Sequence, residues 1–221
     1  MRIIISASLF CLLISLTSCF ELIEQVFVKK DGSGNMQLTL NLSKSKTKIN
    51  SIRQMKTING RDVPSENEIR QKIKELQTSV AKTKGITEVK TTIDLDNYIV
   101  TMSCNFTNAN MLNGIVKSIA KTGADAKYLE KSYNYDAATN SFERLNKISV
   151  KKDYNKLSNA DKEVFATANY TSIYKFENTI NSATNADAKI SPSKKAIMLQ
   201  HNVLDIIMGK KSIENKISLS K

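Results

Sequence analysis

Apolar residues fall on alternate positions from Met36 to Leu42, where Met36, Leu38, Leu40 and Leu42 share one face, and the apolar-rich run from Leu22 to Lys30 before it also reads as a strand. A period of two marks a half-buried strand. Between the runs lies Asp31-Gly32-Ser33-Gly34-Asn35, whose glycines accept positive φ, so the pair is expected to form a hairpin. The period then changes. Ile49, Ile52 and Met55 recur at helical spacing within Ser43 to Arg61 and suggest a short helix. Pro64-Ser65 opens a stronger one. Ser65 and Glu68 fit a capping box, Ile69, Ile73, Leu76 and Val80 form an apolar stripe, and Gly85 is placed to end it.

The alternation returns twice. Ile86 to Ile93 and Tyr98 to Phe106 flank Asp94-Leu95-Asp96-Asn97 as a second hairpin, with Tyr98, Val100, Met102, Cys104 and Phe106 on one face. Thr107 or Asn108 can cap a helix carrying Met111, Leu112, Ile115, Val116 and Ile119, with Gly123 as its stop. Tyr128 to Tyr135 and Ser141 to Val150 flank Asp136 to Asn140 as a third hairpin. A short helix is expected over Ser158 to Ala168. Strands are expected over Thr171 to Ile180, Ala186 to Ile190, Ala196 to Gln200 and Ile213 to Leu219. No Pro- or Ser-rich linker divides the chain. The expectation is a single α+β domain over residues 19–221: antiparallel hairpins, two or three helices packed on the sheet, and a strand-rich C-terminal half.

The first 18 residues do not fit this pattern. Arg2 precedes an apolar run from Ile3 to Ile14, too short for a membrane span of about 20 residues but right for the core of an export signal. Glu21 and Glu24 stop the run early. Leu16-Thr17-Ser18-Cys19 resembles a lipobox: an apolar residue, two small residues, then cysteine. The resemblance implies cleavage between Ser18 and Cys19 and a diacylglyceryl group on the Cys19 thiol. One acyl chain holds a protein to a bilayer only marginally, whereas two or more anchor it stably. Phe20, rather than aspartate, follows the cysteine, which by resemblance to Gram-negative sorting directs the protein to the outer membrane, facing the periplasm.

Composition narrows the class. Hydrophobic residues make up 41% and charged residues 24%, values of a folded chain rather than a disordered one. Of three cysteines, Cys11 leaves with the signal and Cys19 is acylated, so only Cys104 remains and no internal disulfide is expected. Cys104 sits in an apolar alternation and reads as a buried structural thiol. The net charge of +12 allows contact with anionic lipid or glycan. The lysines are dispersed without interleaved aromatics, which argues against nucleic acid as a partner. The densest group is Lys44, Lys46, Lys48, Arg53 and Lys56.

No catalytic constellation emerges. His201 is the only histidine, and neither paired cysteines nor an HExxH pattern is present, so no metal site is expected. Ser-x-x-Lys recurs, as at Ser118/Lys121 before Thr122-Gly123, but one lysine would have to serve two roles and a Ser-Asp-Asn element is missing. Gly209-Lys210-Lys211-Ser212 lacks the earlier glycine of a phosphate loop, where Leu204 stands. Asp94 and Asp96 lie in a loop too short for a twelve-residue calcium site. No catalytic, cofactor-binding or metal-binding residue is therefore expected.

Three features resemble a family of small exported lipoproteins with an LppM-like domain. They are the extended start into Asp31-Gly32-Ser33-Gly34, the Gly85-Ile86 lead into the second hairpin, and Tyr174-Lys175-Phe176-Glu177 running on to Asn185-Ala186. Lys189-Ile190-Ser191 and Lys195 to Leu199 follow in the same manner. The Asn/Lys/Ile-rich chain with its lipobox also resembles Bacteroidetes-type lipoproteins. The resemblance implies an α+β domain over residues 22–221 and an envelope role, and carries no catalytic residues. The expected function is a membrane-anchored, non-catalytic binding or assembly module. Its expected partners are the membrane, through the anchor, and an envelope protein, anionic lipid or glycan. The alternatives are an envelope hydrolase with a non-standard site and a basic module that binds anionic lipid or glycan.

Overall fold

The computed structural model describes residues 20–58, 60–120, 131–145 and 150–221. The expected export signal with Ser18 and Cys19, the expected helix stop at Gly123, and the first part of the expected third hairpin up to residue 130 lie outside the described residues, as do residues 146–149.

The protein is α+β. The first hairpin forms as its alternation requires: β1 (Glu21–Val28) pairs antiparallel with β2 (Gly34–Asn41). Gly32 takes φ +81° in the turn, and Asp31 accepts hydrogen bonds from the Ser33 backbone N–H and hydroxyl. A 3-10 turn at Ser43–Ser45 leads into helix α1 (Lys46–Arg53). The two-residue strands β3 (Thr57–Ile58) and β4 (Arg61–Asp62) then replace the last turns of helix expected there. Helix α2 (Glu66–Ala81) carries both halves of the capping box. Ser65 Oγ accepts from the Glu68 N–H, and the Glu68 carboxylate accepts from the Ser65 N–H. Strands β5 (Ile86–Asp94) and β6 (Ile99–Phe106) form the second hairpin. Asn108 caps a 3-10 turn that runs into α3 (Leu112–Ala120).

The third hairpin is β7 (Tyr133–Asp136) with β8 (Ser141–Arg144). Two short helices follow, α4 (Lys151–Asn155) and α5 (Asn159–Ala166). The run from Thr171 to Ile180 is not one strand. It is β9 (Asn169–Phe176) and β10 (Ile180–Ala183), which belong to different sheets. Glu177 causes the break: its N–H bonds the Val28 carbonyl and its side chain accepts from the Lys30 N–H. Strands β11 (Lys189–Ile190) and β12 (Ala196–Asn202), helix α6 (Val203–Ile207) and β13 (Asn215–Leu219) complete the chain.

Seven strands form one sheet in the order β11-β12-β9-β1-β2-β6-β5, and four form a second in the order β10-β13-β8-β7. Adjacent strands are antiparallel except β1 and β9, which run parallel across about 150 residues of sequence, Glu21 opposite Asn169 and Val28 opposite Phe176. The three expected hairpins are all antiparallel, and this parallel pair joins the first of them to the C-terminal strands. The register puts Leu22 beside Tyr170, Glu24 beside Ser172 and Val26 beside Tyr174, so one face of the large sheet collects the buried side chains. The small sheet covers the β1 and β9 part of this face, where Phe142 lies against Tyr174 and Phe176 with ring centroids 5.0 and 5.6 Å apart. Helices α2 and α3 pack beside it over the hairpin strands, where Ile115 and Ile119 approach Met36, Met102 and Cys104.

Candidate functional site

Two features on the covered face of β1 and β9 stand out, joined through one side chain. The first is an apolar cleft of about 500 Å³ at the beginning of β1, within the roughly 300–1,000 Å³ of ordinary ligand pockets. Phe20 and Leu22 form one wall. The Phe20 carbonyl accepts from the Asn169 N–H, which fixes the start of β1 against β9. Tyr154 and Leu157 form a second wall, and Phe165 of α5 stands edge-on to both Phe20 and Tyr154, with centroids 6.2 and 5.9 Å apart. The third wall is α6 and the turn after it, through Val203, Ile206, Ile207 and Ile213.

Local chemistry holds these short helices in place. Ser158 caps α5 by accepting from the Asp161 N–H. Asn202 caps α6 by accepting from the Leu204 N–H, while its amide donates to the Ala166 carbonyl, so one side chain ties the start of α6 to the end of α5. The Val203 N–H donates to the Ala168 carbonyl. A five-residue helix is marginal on propensity alone, and here tertiary contacts hold it.

Asp153, Tyr154 and Tyr170 are the acid-base groups among the cleft's lining residues. Helix α4 is basic, whereas Asp161 and Glu163 flank Lys162 on α5 and Asp205 lies on α6. Lys151 and Lys152 on α4 are exposed. Lys156 pairs with Asp153 at 2.9 Å, Lys211 with Asp187 at 2.8 Å, and the Lys162 ammonium lies 5.8 Å from the centroid of the Tyr154 ring.

Tyr170 leads from the cleft to the second feature, a buried polar cluster between the two sheets. Its hydroxyl donates to Glu24 at 2.8 Å, and the Tyr174 hydroxyl donates to the same carboxylate at 2.6 Å. Arg144 of β8 places its Nε 3.5 Å from Glu24, donates from Nη1 to the Ser132 and Leu145 carbonyls, and stacks over the Tyr133 ring at 4.8 Å. Glu24 is 3% exposed and Arg144 8%. Burial opposes the guanidinium charge, but the Glu24 carboxylate and the surrounding phenols hold it protonated well above the ordinary arginine range. Burial first, and then the Glu24 charge, push Tyr133, Tyr170 and Tyr174 well above the usual phenol range. The phenols are therefore neutral, and Tyr170 and Tyr174 are the donors to Glu24, which Arg144 faces as its ion-pair partner. The Tyr133 hydroxyl and Arg144 Nε are buried without a hydrogen bond of their own.

Residues singled out by sequence are scattered. Cys104 is buried far from the cleft among Met36, Met102 and Ile115, and burial pushes its thiol up to about 11, the state of an inert structural cysteine. His201 is buried opposite Tyr170, with Nε2 3.6 Å from Asp187. Among the described residues, no group of three or more His, Cys, Asp or Glu side chains could hold a metal. Within the basic group near α1, Arg53 is taken up by Glu66 and the Tyr98 hydroxyl. Asp94 accepts from Asn97 and closes its own turn. Sequence reasoning missed every cleft residue except Phe20, which it had used only for sorting. It also missed Glu24 and Arg144. A signal for the pair existed: Glu24 shares a strand face with Leu22, Val26 and Val28, and Arg144 shares one with Phe142.

A broader depression of about 620 Å³ runs along α2. A single helix and its cap line it, with exposed polar residues such as Gln71, Lys74 and Glu75. It is a solvated flank rather than an enclosed site.

No family model matches the chain, and no curated protein matches it. Among solved structures, the folded domain of LppM from Mycobacterium tuberculosis, determined by NMR, superposes with a TM-score of 0.40 at 9% identity, covering 92% of this chain and 89% of that one. At this distance the likeness adds nothing to the case built on the cleft. Among the described residues, no helix is long and apolar enough to cross a membrane.

Proposed function

We propose that this protein is a membrane-tethered envelope module that binds an apolar, chain-like ligand in the cleft between β1, β9 and helices α4 to α6. Anchoring is through Cys19 and the site faces the periplasm, in keeping with the lipobox and with Phe20 after it. The observation that carries the reading is the cleft itself: about 500 Å³ walled by Phe20, Tyr154, Phe165, Val203, Ile206 and Ile213. Apolar walls give affinity for hydrocarbon of about 25 cal/mol per Å² removed from water. Two of the cleft's acid-base groups are already engaged, Asp153 by Lys156 and the Tyr170 hydroxyl by Glu24. The cleft's lining holds no nucleophile beside a base, so the geometry favours binding over the hydrolase alternative.

Lys151 and Lys152 on α4 favour an anionic head group at the mouth. Binding of an anionic lipid should then weaken with salt, whereas the apolar contribution should persist. The test is a titration of residues 20–221, which hold every described element, with a fluorescent fatty acid. Saturable binding is expected, with loss on Ile206→Trp, which fills the cleft. Equal binding by the variant and the parent would refute the site.

A further inference from the structure

The mouth of the cleft coincides with the expected start of the mature chain. Phe20 is one of its walls and is bonded in sequence to Cys19, the residue expected to carry the acyl groups. Consecutive Cα atoms lie about 3.8 Å apart, so a lipid on Cys19 begins within one residue of the cleft. Backbone pairing fixes Phe20, because its carbonyl accepts from the Asn169 N–H and Glu21 starts the parallel pair with β9.

Resting on the binding reading above and on lipidation at Cys19, we propose that the cleft holds one acyl chain of the protein's own lipid anchor. Three observations converge on this occupant. The walls offer hydrocarbon contact and few free polar groups, which suits a bare chain. The volume of about 500 Å³ gives room for a dozen or more methylenes if each takes about as much space as a water's share of the liquid, roughly 30 Å³. A tethered chain also competes at an effective concentration in the millimolar range, with no separate cost of association. A chain held in the cleft is withdrawn from the bilayer. Because one chain alone holds only marginally, docking converts a firm anchor into a weaker one and allows the protein to leave or exchange between membranes.

The test uses the full chain, made in a bacterium that lipidates its own exported proteins and fed a fatty acid carrying a mid-chain diazirine. After illumination, mass spectrometry reads which residues the Cys19-linked chain has captured. Internal cross-links to Tyr154, Phe165 or the Val203–Ile213 segment are expected. They should be lost on adding excess lauric acid and in Ile206→Trp, which should keep its Cys19 label. Label on Cys19 with cross-links only to phospholipid would overturn the proposal while leaving the cleft free for another ligand. Absence of label on Cys19 would overturn it through the anchor, and the fatty-acid titration of residues 20–221 would still judge the cleft alone. The lauric acid arm uses the unaltered protein, so a misfolded variant does not remove the test.

Discussion

Glu24 and Arg144 lie 3.5 Å apart with almost no exposure to water, and each gives the other its counter-charge. Taking two charges out of water is costly, and donation from Tyr170 and Tyr174 to Glu24 and from Arg144 to two backbone carbonyls offsets part of that cost. Removing one partner strands the other. Glu24→Ala or Arg144→Met should therefore each cost about 3–5 kcal/mol in urea unfolding, whereas the double variant Glu24→Met/Arg144→Met should recover much of that loss. The phenols set a second expectation. Their folded-state pKa values lie above the ordinary value of 10.0, so the folded state keeps protons that the unfolded chain releases. Stability should be level below about pH 9 and fall as pH rises through 10 and beyond. Absorbance titration should show Tyr133, Tyr170 and Tyr174 ionising only as the protein unfolds. This pair was legible in part, as a charge on an otherwise apolar face, but its partner across 120 residues was not.

The elements that sequence identified well are those whose signals are local. The first hairpin follows from alternation around Gly32, and α2 follows from the Ser65/Glu68 box and its stripe. Ser65→Ala should cost about 1 kcal/mol, read as a lower midpoint in thermal unfolding. Gly34 makes the hairpin more demanding than its pattern suggests. It lies in β2 rather than in the turn, and a Cβ there would collide with the Phe27 carbonyl. Gly34→Ala should therefore destabilise more than Gly60→Ala, whose Cβ meets nothing, although Gly60 too has positive φ; paired denaturant melts check the order. What escaped were elements set by distant contacts. Helices α4 and α6 are five residues each, too short for a periodic signal. The break between β9 and β10 depends on Glu177 meeting Val28 and Lys30, more than 140 residues away.

At the scale of the molecule, the parallel pairing of β1 with β9 creates the cleft. It brings residues 20–22 beside Tyr170 and leaves α4, α5 and α6 to close around them. No window of the sequence contains these pieces together, so alternation and capping signals could not reveal the site. The resemblance of Leu16–Cys19 to a lipobox is local, and it gives the one chemical role expected from sequence: Cys19→Ala should accumulate as an unlipidated precursor, detected by absence of palmitate label. The central claim is that hydrocarbon occupies the cleft. Isotope-filtered NMR on residues 20–221 with ¹³C-labelled lauric acid tests it most directly. The account predicts contacts from the chain to the methyl groups of Val203, Ile206, Ile207 and Ile213. Lauric acid that leaves those methyls untouched, or that contacts only the polar flank of α2, would contradict it.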